Sequence, residues 1–464
     1  MEFGWLLNAG GELLVGLATW LGRQGAATLA IAFAVVALLW AGLYRFPRGR
    51  RRLSIRAPVE AAALKEELRL RLAEPAGLFA DPASVAPTMG AEEAFEADID
   101  AAAKSVLVEA RGHRAKAKEL LRRRVNGNAA GSTELNGSEA AYWRQLGALS
   151  LLDSTGDALA AYARAADLAP ADPEAQMLAG VLQLRAGRLA AAEAAFRRQI
   201  KLGEGVPGST AAYRGRTMLG DVHAANYAHD EAMAAYQQAQ REVLALLEAT
   251  PDRSALQRDL SVTCDRIGDA HLARGDLEAA LESYRNGLEI AQVLAERDPA
   301  NLLWQRDLSV SHDRVGDVLD RKGDWDGALG SFRSGLAIAE DLARRKPANL
   351  NWQWDLSVSH DRIGDVLMAM GKMDEALASH RRGLAIAEAL GVRDPAHTGW
   401  QRDLAVSYHK IGSLEIGRGN LGEARELLEK GRAIISRLDR IAAHQAQWRA
   451  DLSKFDAALR GLPQ

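Results

Sequence analysis

Apolar and polar positions follow three rhythms along this chain. One is an unbroken apolar run: residues 24–44, QGAATLAIAFAVVALLWAGLY, carry no charge. In a helix rising about 1.5 Å per residue they span about 31 Å, the thickness of a bilayer's hydrocarbon core. The run predicts a transmembrane helix with Trp40 and Tyr44 near its interfacial end. Upstream, Phe3, Leu6, Leu7, Leu13, Leu14, Leu17 and Leu21 recur at helical spacing, with Asn8, Glu12 and Thr19 on another face. Residues 1–23 therefore read as an amphipathic segment lying on the outer leaflet. A short second span is one alternative. An oligomerising face is another, because Gly4, Gly11, Ala18 and Gly25 form a heptad of small residues.

The second rhythm is helical but interrupted. Residues 58–138 predict a helical linker region, with helices over 58–73 and 91–124. Pro75, Pro82 and Pro87 mark the break between them, and NGNAAGSTELNG (126–137) reads as a flexible linker. The second helix opens on Glu92, Glu93, Glu96, Asp98 and Asp100 and ends on Lys116, Lys118, Arg122, Arg123 and Arg124. That polarity suits the helix macrodipole.

The third rhythm is a long repeat, which decides the fold class. LQRDLSVTCDRIGD (256–269), WQRDLSVSHDRVGD (304–317), WQWDLSVSHDRIGD (352–365) and WQRDLAVSYHKIGS (400–413) succeed one another every 48 residues. Pro251, Pro299, Pro347 and Pro395 keep the same spacing, and so do Gly220, Gly268, Gly316, Gly364 and Gly412. Each unit predicts a first helix, a turn at Gly275, Gly323, Gly371 or Gly419, and a second helix that stops at the proline.

These units resemble the tetratricopeptide repeat. Gly316, Ala328 and Phe332 match the family's glycine, small residue and aromatic. Neighbouring copies offer Gly268, Ala280 and Tyr284, then Gly364, Ala376 and His380; the last copy, Gly412, Ala424 and Leu428, departs at the aromatic. Gly287, Gly335, Gly383 and Gly431 stand where the family usually has alanine. Residues 139–206 read as two standard-length units, 207–443 as five longer ones, and 444–464 as a capping helix and tail. The resemblance implies an all-α, right-handed α-solenoid whose first helices line a concave partner-binding groove. A single hairpin cannot cover its apolar face, so such units are stable only when stacked.

Charge changes the picture at the membrane end. The whole chain has a formal net charge of −3, which argues against a nucleic-acid partner bound by bulk electrostatics. Residues 45–57 nevertheless hold Arg45, Arg48, Arg50, Arg51, Arg52 and Arg56, whereas the other flank of the apolar run offers Arg23. The positive-inside rule then places this basic juxtamembrane segment and everything after it in the cytoplasm. The expectation is a single-pass protein of the inner (plasma) membrane. A cleaved signal peptide would carry its basic residues before the apolar core, not after it.

The sequence holds no phosphate loop, no H-E-x-x-H and no nucleophile elbow, so neither an enzyme nor a cofactor is expected. His312 and His360 occupy one repeat position and read as packing residues rather than metal ligands. Cys264 fills that position in an earlier unit and reads as a core filler. Trp304, Trp352 and Trp400 read as packing between repeats.

A ladder of carboxylates remains. Asp265 and Asp269, Asp313 and Asp317, and Asp361 and Asp365 are i,i+4 pairs on the first helices, and Asp221 extends the row backwards. Like charges at that spacing cost a few tenths of a kcal/mol per pair. In arrays this one resembles, equivalent positions face the groove, which implies an acidic site for a basic or amine-rich protein or peptide. The alternative is structural: Arg266, Arg314 and Arg362 can bind these carboxylates within or between units. The reading is a membrane-anchored scaffold or adaptor, open to homo-oligomerisation and touching lipid through residues 24–44. Its rival is a membrane effector whose N-terminal segment oligomerises or perturbs the bilayer while the array senses a trigger.

Overall fold

The computed structural model of the protein describes residues 61–65, 67–68, 91–107, 109–110, 113–127, 133–395, 397–441 and 446–463. The amphipathic segment, the transmembrane helix and the basic segment expected over residues 1–57 lie outside the described residues. No helix among the described residues is long and apolar enough to cross a membrane.

Helix α1 (Ala91–Ala102) runs into a π-helical turn, Ala103–Leu107, and helix α2 (Arg114–Gly127) follows after a break. The single helix expected over 91–124 is therefore two. Its charge polarity has another cause than a macrodipole. Asp98 and Asp100 pair with Arg144 and Lys65, while Lys118 and Arg124 pair with Asp153 and Glu109. Helix α3 begins at Thr133, inside the stretch read as a flexible linker.

Seven helical hairpins make up the rest of the described chain. The first two are α3 (Thr133–Leu151) with α4 (Thr155–Leu168), and α5 (Pro173–Arg185) with α6 (Leu189–Gly203). The third is α7 (Ala211–Ala225) with α8 (His229–Ala249), and the fourth α9 (Ser254–Ala273) with α10 (Leu277–Arg297). Then come α11 (Leu302–Arg321) with α12 (Trp325–Arg345), and α13 (Leu350–Ala369) with α14 (Met373–Arg393). The seventh is α15 (Thr398–Gly417) with α16 (Leu421–Ile441), and α17 (Ala446–Arg460) packs on its end. Every helix from α3 onward packs on its successor, which is the contact pattern of a solenoid. In the second unit the helices have 13 and 15 residues; in the fourth they have 20 and 21, about two turns more apiece.

Local chemistry sets these boundaries. Asn301 and Asn349 accept hydrogen bonds from the amides of Trp304 and Trp352, capping α11 and α13. His397 does the same for Trp400 through Nδ1, and stacks on its indole at 4.0 Å. Asp276 and Asp324 cap α10 and α12. Between the helices of a unit the backbone turns through φ of +77° at Gly275 and Gly323, where a Cβ would be strained. The third unit puts Tyr227 in that turn, at φ 59°. Second helices end two residues before Pro251, Pro299, Pro347 or Pro395, as the missing amide requires.

Within a unit the two helices meet at glycine. Gly268 and Gly316 lie flat against the rings of Tyr284 and Phe332, where an added Cβ would stand 2.6 Å from a ring carbon. Tyr284 and Phe332 are buried there, between Ala280 or Ala328 and the next unit's valines. Gly316→Ala should therefore lower stability by about 1–3 kcal/mol through overpacking. Gly330 lies in α12 with nothing within 4 Å of an added Cβ, so Gly330→Ala should stabilise by about 0.5–1 kcal/mol. Urea unfolding of the two variants checks both signs.

Candidate functional site

All but one of the aspartates of the sequence ladder meet a cation from the following unit. Arg266 Nε on α9 reaches back 2.7 Å to Asp221 on α7, which also accepts from the Tyr236 hydroxyl at 2.8 Å. Arg314 on α11 donates to Asp269 at 2.6 Å and stands 3.4 Å from Asp265, both on α9. Arg362 on α13 bridges Asp313 at 2.8 Å and Asp317 at 3.1 Å. In the next interval Lys410 takes the guanidinium's place, 2.7 Å from Asp365, and Ser407 donates to Asp361 at 2.9 Å. Ion pairs between units are thus what the structure builds from six of the seven aspartates; Asp361 is met instead by the Ser407 hydroxyl and by His380 of its own unit, 3.1 Å away.

The two carboxylates of a pair differ. The inner ones, Asp265 and Asp313, are buried, and their Oδ1 atoms have no hydrogen-bond partner among the described residues. Burial pushes the Asp265 carboxyl up to about 6 and the Asp313 carboxyl up to about 7, against the lowering effect of Arg314 and Arg362. The outer ones keep part of their surface: the side chains of Asp269, Asp317 and Asp365 are 36%, 32% and 43% exposed. Arg362 serves both Asp313 and Asp317, and Arg314 both Asp265 and Asp269, the latter also standing 3.9 Å from Arg266.

Sequence reasoning missed a second ladder, built from the QRDL segment of the same repeat. Arg258 Nε binds Asp307 at 2.6 Å, Arg306 binds Asp355 at 2.7 Å and Arg402 binds Asp451 at 2.9 Å. Here the arginine belongs to the earlier unit, so this ladder runs opposite to the first. Trp354 stands where its neighbours have arginine, and its indole N–H donates to Asp403 at 2.8 Å. With only that neutral donor, burial pushes the Asp403 carboxyl up to about 6. The signal was present as an Arg-Asp dipeptide repeating with its partner 49 residues away.

Other polar members of the repeat are also engaged. Gln305, Gln353 and Gln401 donate to Ala295, Ala343 and Gly391 carbonyls at the end of the preceding second helix. Ser261, Ser309 and Ser357 donate to the carbonyls of Gly287, Gly335 and Gly383. Those glycines do more than permit close crossing: a Cβ on Gly335 would lie 2.9 Å from Asp313 Oδ1, so the missing methyl makes room for the buried carboxylate.

Cys264 is buried, with Gln240 Nε2 3.5 Å from its sulfur, and burial pushes the thiol up to about 11. That is the environment of a packing cysteine rather than a nucleophile. His360 is buried and His312 half-buried, and burial lowers both imidazoles from their usual range. Trp400 is buried against His397, while Trp304 and Trp352 are half-buried.

Residues 152–207, 263–293 and 359–394 each match the tetratricopeptide repeat as a sequence family. No curated protein matches the chain. Among solved structures, BtubC from P. vanneervenii is similar, with 15% identity, 54% of this chain and 92% of that one covered, and a TM-score of 0.42. A signal transduction ATPase with numerous domains and a tetratricopeptide repeat sensor, from Pyrococcus horikoshii, is 12% identical. It covers 86% of this chain and 60% of its own, with a TM-score of 0.49. A Rap protein complexed with competence and sporulation factor is 15% identical over 79% of this chain and 99% of its own, with a TM-score of 0.42.

The raised inner carboxyls have a signed consequence for stability. Folding lifts Asp313 from 3.8 to about 7, so the folded chain holds a proton that the unfolded chain has released between those values. The stability this group contributes is complete below pH 3.8 and is lost as the pH rises through about 7. Asp313→Asn removes that titration. Between pH 5 and 7 its unfolding free energy should fall less with pH than that of the unaltered protein, by up to about one proton per molecule. Chemical denaturation at a series of pH values checks the difference.

Proposed function

We propose that this tetratricopeptide repeat array is a scaffold that holds a protein or peptide segment along its first helices. Residues 24–44 would tether it to the inner membrane with the array on the cytoplasmic side. The observation that carries the reading is the row of outer carboxylates that stay exposed. Asp269, Asp317 and Asp365 follow one another a unit apart, and each keeps about a third or more of its side chain exposed beside its cation. Val310 and Val358, seven residues before Asp317 and Asp365 on α11 and α13, are half-buried. A segment with basic side chains one solenoid step apart would pair with these exposed carboxylates, and its apolar residues would cover the valines. No catalytic step is assigned to any of these groups.

The membrane tether is supported by the uncharged run and the six arginines that follow it. Membranes washed with alkaline carbonate should retain the protein, and its release would contradict the tether. For the partner, cross-linked capture with the full chain is compared with an Asp269→Asn/Asp317→Asn/Asp365→Asn variant of matched thermal stability. Capture of the specific partner should fall at least tenfold in the variant. Equal capture by both chains would sink the outer carboxylates as the contact.

A further inference from the structure

We propose that the first-helix surface of units one to four is a separate docking site for an acidic amphipathic helix of a partner protein, and that α1 is its occupant within the chain. This site is separate from the exposed carboxylates at Asp269, Asp317 and Asp365. Helix α1 packs on both α3 and α5, the first helices of the first two units. Within the array the first helices seen to pack on one another are successive ones, α5 on α7 and α7 on α9. Helix α1 instead lies across the surface, as a ligand would.

Its contacts form a built site. Ala91, Ala94, Phe95, Asp98, Ile99 and Ala102 recur at three- and four-residue spacing and are all buried. The Phe95 ring meets Tyr162 edge-on at 5.2 Å. Asp98 accepts from the Tyr162 hydroxyl at 3.0 Å and pairs with Arg144 at 3.0 Å. In later units the corresponding hydroxyls of Tyr236 and Tyr284 go to Asp221 and Asp269, the residues after Gly220 and Gly268. Unit one has Ala148 after Gly147, so it lacks that carboxylate and an incoming helix supplies it. Tyr162 and Arg144 together make a carboxylate socket.

Farther along, Glu93 pairs with Arg258 on α9 at 3.0 Å, across 165 residues of sequence. Arg258 is accordingly 11% exposed, where Arg306 at the same repeat position is 30% exposed. Val262 joins the apolar cluster that contains Phe95 and Ile99 and is buried, whereas Val310, Val358 and Val406 at its repeat position are half-buried. The occupant is a single 12-residue helix followed at once by a π-helical turn. Helices of that length are marginal alone in water, so α1 owes its order to the surface it covers. A partner helix with an aromatic, a carboxylate three residues on and an aliphatic next to it would compete for the same socket.

The test uses the full-length chain in detergent and a fluorescein-labelled synthetic peptide of residues 88–107. The unaltered protein fills its own socket, whereas Phe95→Ala/Asp98→Ala/Ile99→Ala should vacate it. The labelled peptide should bind the triple variant at least tenfold more tightly than the unaltered chain. The same peptide carrying Asp98→Ala should lose at least tenfold on the triple variant, and adding Arg144→Ala to that variant should abolish the difference. Equal binding to both chains, with circular dichroism unchanged, would overturn the proposal. So would a triple variant that fails to fold, because α1 would then be a permanent part of the core. Capture at Asp269, Asp317 and Asp365 is read separately, so the scaffold reading can stand or fall without this one.

Discussion

A guanidinium buried between two helical hairpins needs a carboxylate, and here the carboxylate belongs to the neighbouring hairpin. Removing one partner from such a buried pair costs about 3–5 kcal/mol, because the remaining charge is left uncompensated. Arg266, Arg314 and Arg362 each reach back one unit, whereas Arg258, Arg306 and Arg402 each reach forward. Two opposed ladders fix the register of every stacked unit they join. An apolar seam of alanines, valines and aromatics tolerates small slips; a rung offset by one helical turn would strand a charge. The Tyr284 and Phe332 rings under Arg314 and Arg362 add a face for each cation to rest on.

This division of labour explains the repeat signature position by position. In WQRDLSVSHDRVGD, glutamine ties down the previous unit, Arg306 and Asp307 serve one ladder, and Asp313, Arg314 and Asp317 serve the other. Serine binds the glycine carbonyl, and Gly316 receives the ring. Most of the polar residues are therefore spent on the array itself. What remains for a partner is the part of each rung that stays wet, together with the surface that α1 covers.

The repeat, its hairpins and its turns were legible in the sequence because a period of one unit multiplies every local signal. The pairing of Arg314 with Asp269 was legible for the same reason, as one of two readings of the aspartate row. The QRDL ladder was overlooked because adjacent Arg and Asp look self-sufficient on a helix, although i,i+1 residues do not face each other. The glycines at 287, 335 and 383 stand where the family usually has alanine, and their purpose is visible only with Asp265, Asp313 and Asp361 lying against them. Residues 91–124 misled more seriously. Acidic and basic ends suggested one dipole-matched helix, yet those charges answer to Arg144, Arg258, Lys65 and Asp153, none of which is local. A non-repeating segment gives no second copy against which to check such a reading.

The account rests on the rungs as the coupling between units, and hydrogen exchange of the native Arg314→Ala protein tests that most directly. On α9, Asp265 would lose its cation and Asp269 its nearer one, while the variant side chain sits on α11. The account predicts lost amide protection on both sides of the junction, in α9 and α10 as well as α11 and α12, with units one and two unchanged. Protection loss confined to the turn of helix around residue 314, or none at all, would contradict it.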